Sequence, residues 1–212
     1  MRHPVPDEHT RTALTGEAGV IVNYRTGETV VLTGGALARW LVSLESSAAP
    51  APVPVRTSEL SWGTHESPAR LEPPAPPPWP FRLAAMTLLV TTLVVRQFGR
   101  RRTRFGRLVR LAETGKNLPP ASSEYATLVV RSVRWAARAL PARIACLEES
   151  TAAALLLAAG GRGRAWRHGI ATDPIRLHAW ICDMHGRPIE EPVQTGHYTP
   201  INEPEFMWKR NR

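Results

Sequence analysis

Half of the chain's 20 prolines fall between residues 46 and 80, ending in the run PPAPPPWP. Proline fixes φ and has no backbone donor, so this stretch excludes a helix interior or an inner strand. It reads as an extended or disordered spacer, 46–80. The spacer divides 212 residues into a small part, 1–45, and a main part, 81–212. With 43% hydrophobic residues overall, the main part is large enough to build its own core.

In the small part, GVIVNY (19–24) and ETVVLT (28–33) are β-branched runs joined by Arg-Thr-Gly, a hairpin signal. GGALARWLVSLE follows, with Ala36, Leu37, Trp40, Leu41 and Leu44 at helical spacing on one face. The main part opens with helical patterns over about 82–98, 103–114 and 121–139. A fourth starts near Ala145 and stops at GGRG. The period then changes to alternation in RAWRHGI, RLHAWICD and RPIEE, with MHGR as the turn between the last two. Helices first and antiparallel strands second predict an α+β fold, with a small hairpin-plus-helix module ahead of it.

The formal net charge of +9 is carried by arginine; Lys116 and Lys209 are the only lysines. The basic run after residue 96 has only Phe98 and Phe105 to stack on bases, so no nucleic-acid partner is expected. LAAMTLLVTTLVV, at about 13 residues, is short of the roughly 20 needed to span a bilayer. It reads as a core helix followed by a solvated basic one, and a membrane partner is not expected. The polar N-terminus has no apolar signal region. Two cysteines do not make a disulfide framework in a chain of this length. These features predict a cytoplasmic protein with reduced thiols and no metal site.

The chemistry concentrates at Cys146. Pro141 closely precedes it, so a helix starts near the thiol, and the partial positive charge there favours the anion. Glu148 and Glu149 suit the first turn but oppose a thiolate. A nucleophilic thiol needs a base. In RLHAWICD, His178, Trp180 and Cys182 share one face and Leu177, Ala179 and Ile181 the other. His178 is the candidate base, and it in turn needs an orienting acceptor. Glu190 and Glu191 lie on the returning segment, where period two sends them to opposite faces.

ARIACLEESTAAALLLAA, HGIATDPIRLHAW and GRPIEEPVQTGHYTPI together resemble the catalytic domain of B-type lasso peptide maturation proteins. These are leader peptidases with a transglutaminase-like, papain-related fold. The resemblance spans roughly residues 81–205. It implies Cys146 as nucleophile and His178 as general base. Many members carry an aspartate after the hairpin; here Glu191, just before Pro192, fits best, with Glu190 and Asp183 as alternatives.

The implied reaction is removal of the leader from a ribosomally made precursor peptide. The product is then handed to an asparagine-synthetase-like macrolactam synthetase. The resemblance also implies ATP dependence, although the chain carries no P-loop and no cofactor site is legible. GVIVNYRTGETVVLTGGALARWLVSL resembles the start of a PqqD-like leader-recognition domain whose later helices are missing. A stand-alone recognition protein is therefore an expected partner, and few contacts are expected between the two parts. A non-catalytic scaffold for precursor and synthetase, and an acyl transferase using the same Cys-His pair, are the alternative functions.

Overall fold

The β-branched runs of the small part pair as expected and recruit two further segments. The structure is a computed structural model, and it describes residues 9–14, 18–45, 53–54, 75–163, 165–172 and 175–201. Strands β1 (Thr10–Leu14), β2 (Ala18–Asn23), β3 (Thr29–Thr33) and β4 (Val53–Pro54) form one sheet in the order β3-β2-β1-β4. β1 was not legible, because TRTAL is half polar and only Ala13 is buried. Helix α1 (Gly34–Glu45) packs Trp40 against Ile21 and Leu32. The PqqD-like reading rests on these same elements. Most of the proline spacer, 46–52 and 55–74, lies outside the described residues. Its described proline strand, β4, sits at the sheet edge, where a missing donor is tolerated.

The main part is α+β. Helices α2 (Trp79–Gln97), α3 (Arg104–Ala112), α4 (Ser123–Ala139) and α5 (Cys146–Ala159) precede a sheet ordered β6-β5-β7. Its strands are β5 (Ala165–Thr172), β6 (Ile175–Cys182) and β7 (Thr199–Pro200). α2 begins earlier than the periodicity predicts, because Pro80 is accepted in the first turn. α4 is capped by Ser122, whose side chain accepts from the Tyr125 N–H at 3.2 Å. α5 is the central helix. From Ser150 on it has almost no polar face, and Ala152, Ala153, Leu156 and Leu157 are buried with Leu89, Val129, Val133 and Ile181.

RPIEE does not form the expected strand. Pro188 makes an isolated bridge to Cys182, and the Ile189 N–H donates to the Ile181 carbonyl at 2.9 Å. Glu190 then turns into the left-handed region at φ 55°, which ends the pairing.

The expectation of few contacts between the two parts is also corrected. Ala13, Val20 and Val22 of the first sheet share one buried cluster with Ile170 and Ile201 of the second. The hairpin turn sits on α3 at Gly106, where a Cβ would come within 2.8 Å of the Tyr24 and Arg25 carbonyls. Tyr24 Oη lies 3.0 Å from His168 Nδ1, and the Tyr24 ring meets Phe105 edge-on. A β sheet alone leaves one face open, and here each sheet covers part of the other. Unfolding is accordingly predicted to be one cooperative thermal transition. Ile170→Ala should lower the whole transition by about 2–4 kcal/mol. Two resolved transitions in calorimetry, only one of them sensitive to Ile170→Ala, would contradict the shared core.

Candidate active site

The site forms where the first turn of α5 meets the edge strand β6. Cys146 is the first residue of α5, whose N-terminal N–H groups have no acceptor within the helix. The Ala145 N–H is taken by Glu148 Oε2 at 3.1 Å. Glu148 is buried, and its other oxygen pairs with Arg96 of α2 at 2.6 Å. Cys146 and His178 line the same cleft, and the thiol is one of the neighbours that raise the His178 pKa. His178 Nε2 lies 2.8 Å from Glu191 Oε2, which leaves Nδ1 for the thiol. Thr195 Oγ1 donates to the same Glu191 oxygen at 3.2 Å.

Glu191 is held from behind by Arg134 of α4, a residue the sequence reading missed. One guanidinium spans three acceptors: Glu191 Oε1 at 2.6 Å, Glu149 Oε1 at 2.7 Å and the Glu190 carbonyl. The left-handed turn at Glu190 is what presents that carbonyl and Glu191 to the same arginine. A signal did exist: Arg131, Arg134 and Arg138 recur at i, i+3 and i+7 on a helix adjoining an acidic helix start.

Of the three carboxylates considered from sequence, only Glu191 meets His178. Glu190 pairs with Arg131 at 3.0 Å. Asp183 closes the MHGR turn, accepting from the His185 and Arg187 N–H groups and from the Arg187 side chain.

Electrostatics separate the like residues. Burial by itself pushes His178 down. The hydrogen bonds to Cys146 and Glu191, and the negative charges of both, outweigh it and raise the pKa to about 9. His168 has burial without a carboxylate partner and the His178 charge nearby, and falls to about 4. Burial pushes the Cys182 thiol up; its Sγ accepts from the Trp180 indole at 3.0 Å. His178 stacks on Trp180, with centroids 5.6 Å apart, and Tyr198 packs against both rings. Gly169 makes room for that indole: a Cβ there would sit 2.4 Å from the Trp180 ring.

A cleft of about 730 Å3 opens beside the thiol. Val130, Ala153, Ile181 and Ile189 give it an apolar lining, and Arg131 and Arg134 add charge. The described residues hold no P-loop at which to seat the ATP implied by the resemblance. No described helix opens on a glycine-rich loop followed by lysine. Arg131 and Arg134 are already paired with glutamates.

A thiol at a helix start, an imidazole on a strand and a carboxylate behind the imidazole are the parts of a cysteine hydrolase or acyltransferase. Residues 88–203, more than half of the chain, match the Transglutaminase-like superfamily, and the chain belongs to that superfamily. No curated protein and no solved structure gives a significant match.

The His178 imidazolium is predicted to persist through neutral pH and to titrate near 9 in nitrogen-15 NMR spectra, with His168 near 4. Glu191→Gln should move the His178 midpoint down. The raised His178 adds stability below its unfolded value of about 6.5, lost as pH rises through 9; the depressed His168 removes stability as pH falls from 6.5 toward 4. A His178 midpoint near 6.5, unmoved by Glu191→Gln, would contradict this electrostatic reading.

Proposed function

We propose that this protein is a cysteine peptidase that removes the leader from a ribosomally made precursor peptide during lasso peptide maturation. The observation that carries the reading is the Cys146–His178–Glu191 set in a cleft of mixed apolar and charged lining. The lasso assignment draws its support from the three sequence stretches around those residues and from the small sheet-and-helix module ahead of them.

In this mechanism the Cys146 thiolate attacks the carbonyl carbon at the leader–core junction. The developing oxyanion is received by N–H groups at the start of α5, beginning with that of Cys146 itself. The C–N bond breaks as His178, an imidazolium at neutral pH, passes its proton to the departing amine. That amine is the new N-terminus of the core peptide. The leader remains as a thioester on Cys146. His178, now neutral, takes a proton from water as the water attacks the thioester, and the leader leaves as a carboxylate. Glu191 holds the ring and stabilises its charged form, and Arg134 holds Glu191.

The freed core amine suits a macrolactam synthetase as the next partner, and a stand-alone recognition protein is the proposed source of leader affinity. The β3 edge of the small sheet is at most an assisting surface. If an amine rather than water resolves the thioester, the same residues perform acyl transfer, and the leader fragment exceeds the hydrolysed one by the mass of the amine less one water.

Mass spectrometry of a leader-bearing precursor incubated with the protein and its partners tests the reading. Cys146→Ala should leave the precursor intact, and Cys182→Ala should still yield leader and core. Glu191→Gln should slow cleavage on the order of 10²-fold or more, as expected for neutralising a triad acid. Cleavage that persists in Cys146→Ala, or an intact precursor with every variant and the wild type, rejects the peptidase.

A further inference from the structure

Helix α2 has two apolar faces, and the fold uses one of them. Ala85, Leu89 and Thr92 point inward and are buried against α4 and α5. On the opposite side Trp79, Leu83, Val90 and Val94 form a stripe that continues to Phe98 just past the helix end. They are 69%, 56%, 41%, 45% and 71% exposed. At about 1.5 Å per residue the stripe runs roughly 28 Å. A patch of this length on a convex helix face is larger than the scattered apolar residues of an ordinary surface. α2 is also apolar enough, over 19 residues, to satisfy the composition of a membrane span, yet only 17% of it is buried.

Three further observations bear on what covers the stripe. No acidic residue occurs from Trp79 to Arg110. The turn after α2 carries Arg100, Arg101 and Arg102, all exposed, with no carboxylate partner among the described residues. The exposed threonines of the stripe, Thr87 and Thr91, donate their hydroxyls back to the Leu83 and Thr87 carbonyls at 2.9 and 2.8 Å. Their polarity is thereby satisfied inside the helix, which suits a surface that leaves water.

We propose that the outer face of α2 and the turn at residues 100–102 form a docking surface for an anionic lipid bilayer. The inner face of α2 is part of the core, so the helix lies along the membrane and does not cross it while the fold stands. Apolar side chains enter the boundary between headgroups and acyl chains, Trp79 and Phe98 anchor the two ends, and the arginines meet lipid phosphate. The surface runs on the opposite side of α2 from the Cys146 helix, and the inference does not depend on the reaction proposed for that site.

Co-sedimentation of the full chain with vesicles tests this. Vesicles of phosphatidylcholine with about 30% phosphatidylglycerol should bind the protein, vesicles of phosphatidylcholine alone should bind it far less, and 0.5 M salt should weaken the binding. The triple change Arg100→Gln, Arg101→Gln and Arg102→Gln should lower partitioning on the order of 10²-fold, at about fivefold per basic residue. Leu83→Gln with Val90→Gln should lower it about tenfold or more, since two exposed apolar side chains no longer enter the bilayer. Both variants alter exposed residues, and unchanged thermal unfolding verifies their fold. Absence of binding to anionic vesicles overturns the proposal. So does a dimer in light scattering that Leu83→Gln with Val90→Gln dissociates, which would assign the face to a second copy of the chain.

Discussion

The guanidinium of Arg134 is the contact on which the site depends. It binds Glu149 at the start of the cysteine helix, Glu191 behind the histidine and the Glu190 carbonyl between them. Glu149 belongs to the start of α5, and Glu190 and Glu191 are neighbours on the segment after Ile189, so one side chain of α4 ties both to itself. α5 and β6 already pack together in the helical core through Ile181, and Ile189 joins that core; beyond it the chain is carried by the ion pairs of Glu190 and Glu191 until β7 pairs with β5. A planar cation with five donors can satisfy all three at once. The same bond set explains the left-handed backbone at Glu190. Such a conformation costs on the order of 1 kcal/mol or more, and the charge-assisted bonds it permits offset that cost.

A cysteine helix that begins with two glutamates looks ill suited to holding a thiolate. The structure resolves the conflict by pairing each acid with an arginine from a different helix, Glu148 with Arg96 and Glu149 with Arg134. The acids thus become anchors for the start of α5, and the local field is left to His178. Two histidines and two cysteines then acquire opposite characters from their surroundings. His178 has a carboxylate and a thiol; His168 has a tyrosine and aromatic rings. Cys146 opens a helix beside a cleft; Cys182 is buried on a strand under Trp180.

Much of this was legible in the residues. Periodicity placed α1 to α4 and the two long strands of the second sheet, because those segments bury a regular stripe, and α5 showed as an apolar run between Pro141 and GGRG. Helix-start chemistry, strand alternation and a family resemblance singled out Cys146, His178 and Glu191, which the fold brings to one cleft. Besides β1, three things were hidden for physical reasons. RPIEE has a strand-like composition, but Glu190 leaves the β region to satisfy a long-range arginine, and no local pattern encodes that. Arg134 looks like any solvated helix arginine until its partners, two of them more than 50 residues away, are in place. The proline-rich spacer suggested two loosely joined parts, whereas Val20, Val22, Ile170 and Ile201 bury one another across that division.

The central claim is that Arg134 organises a reactive Cys146, and alkylation tests it without any peptide substrate. Wild-type protein and Arg134→Met, both verified as folded by circular dichroism, would be treated with iodoacetamide at neutral pH, and labelling followed by peptide mass mapping. Removing the guanidinium frees Glu191 from its hold on His178 and leaves Glu149 uncompensated beside the thiol. The wild type should be labelled at Cys146 and not at buried Cys182, and Arg134→Met should react at Cys146 at least about tenfold more slowly. Equal Cys146 labelling rates in the two proteins, or labelling of Cys182 ahead of Cys146 in the wild type, would contradict the account.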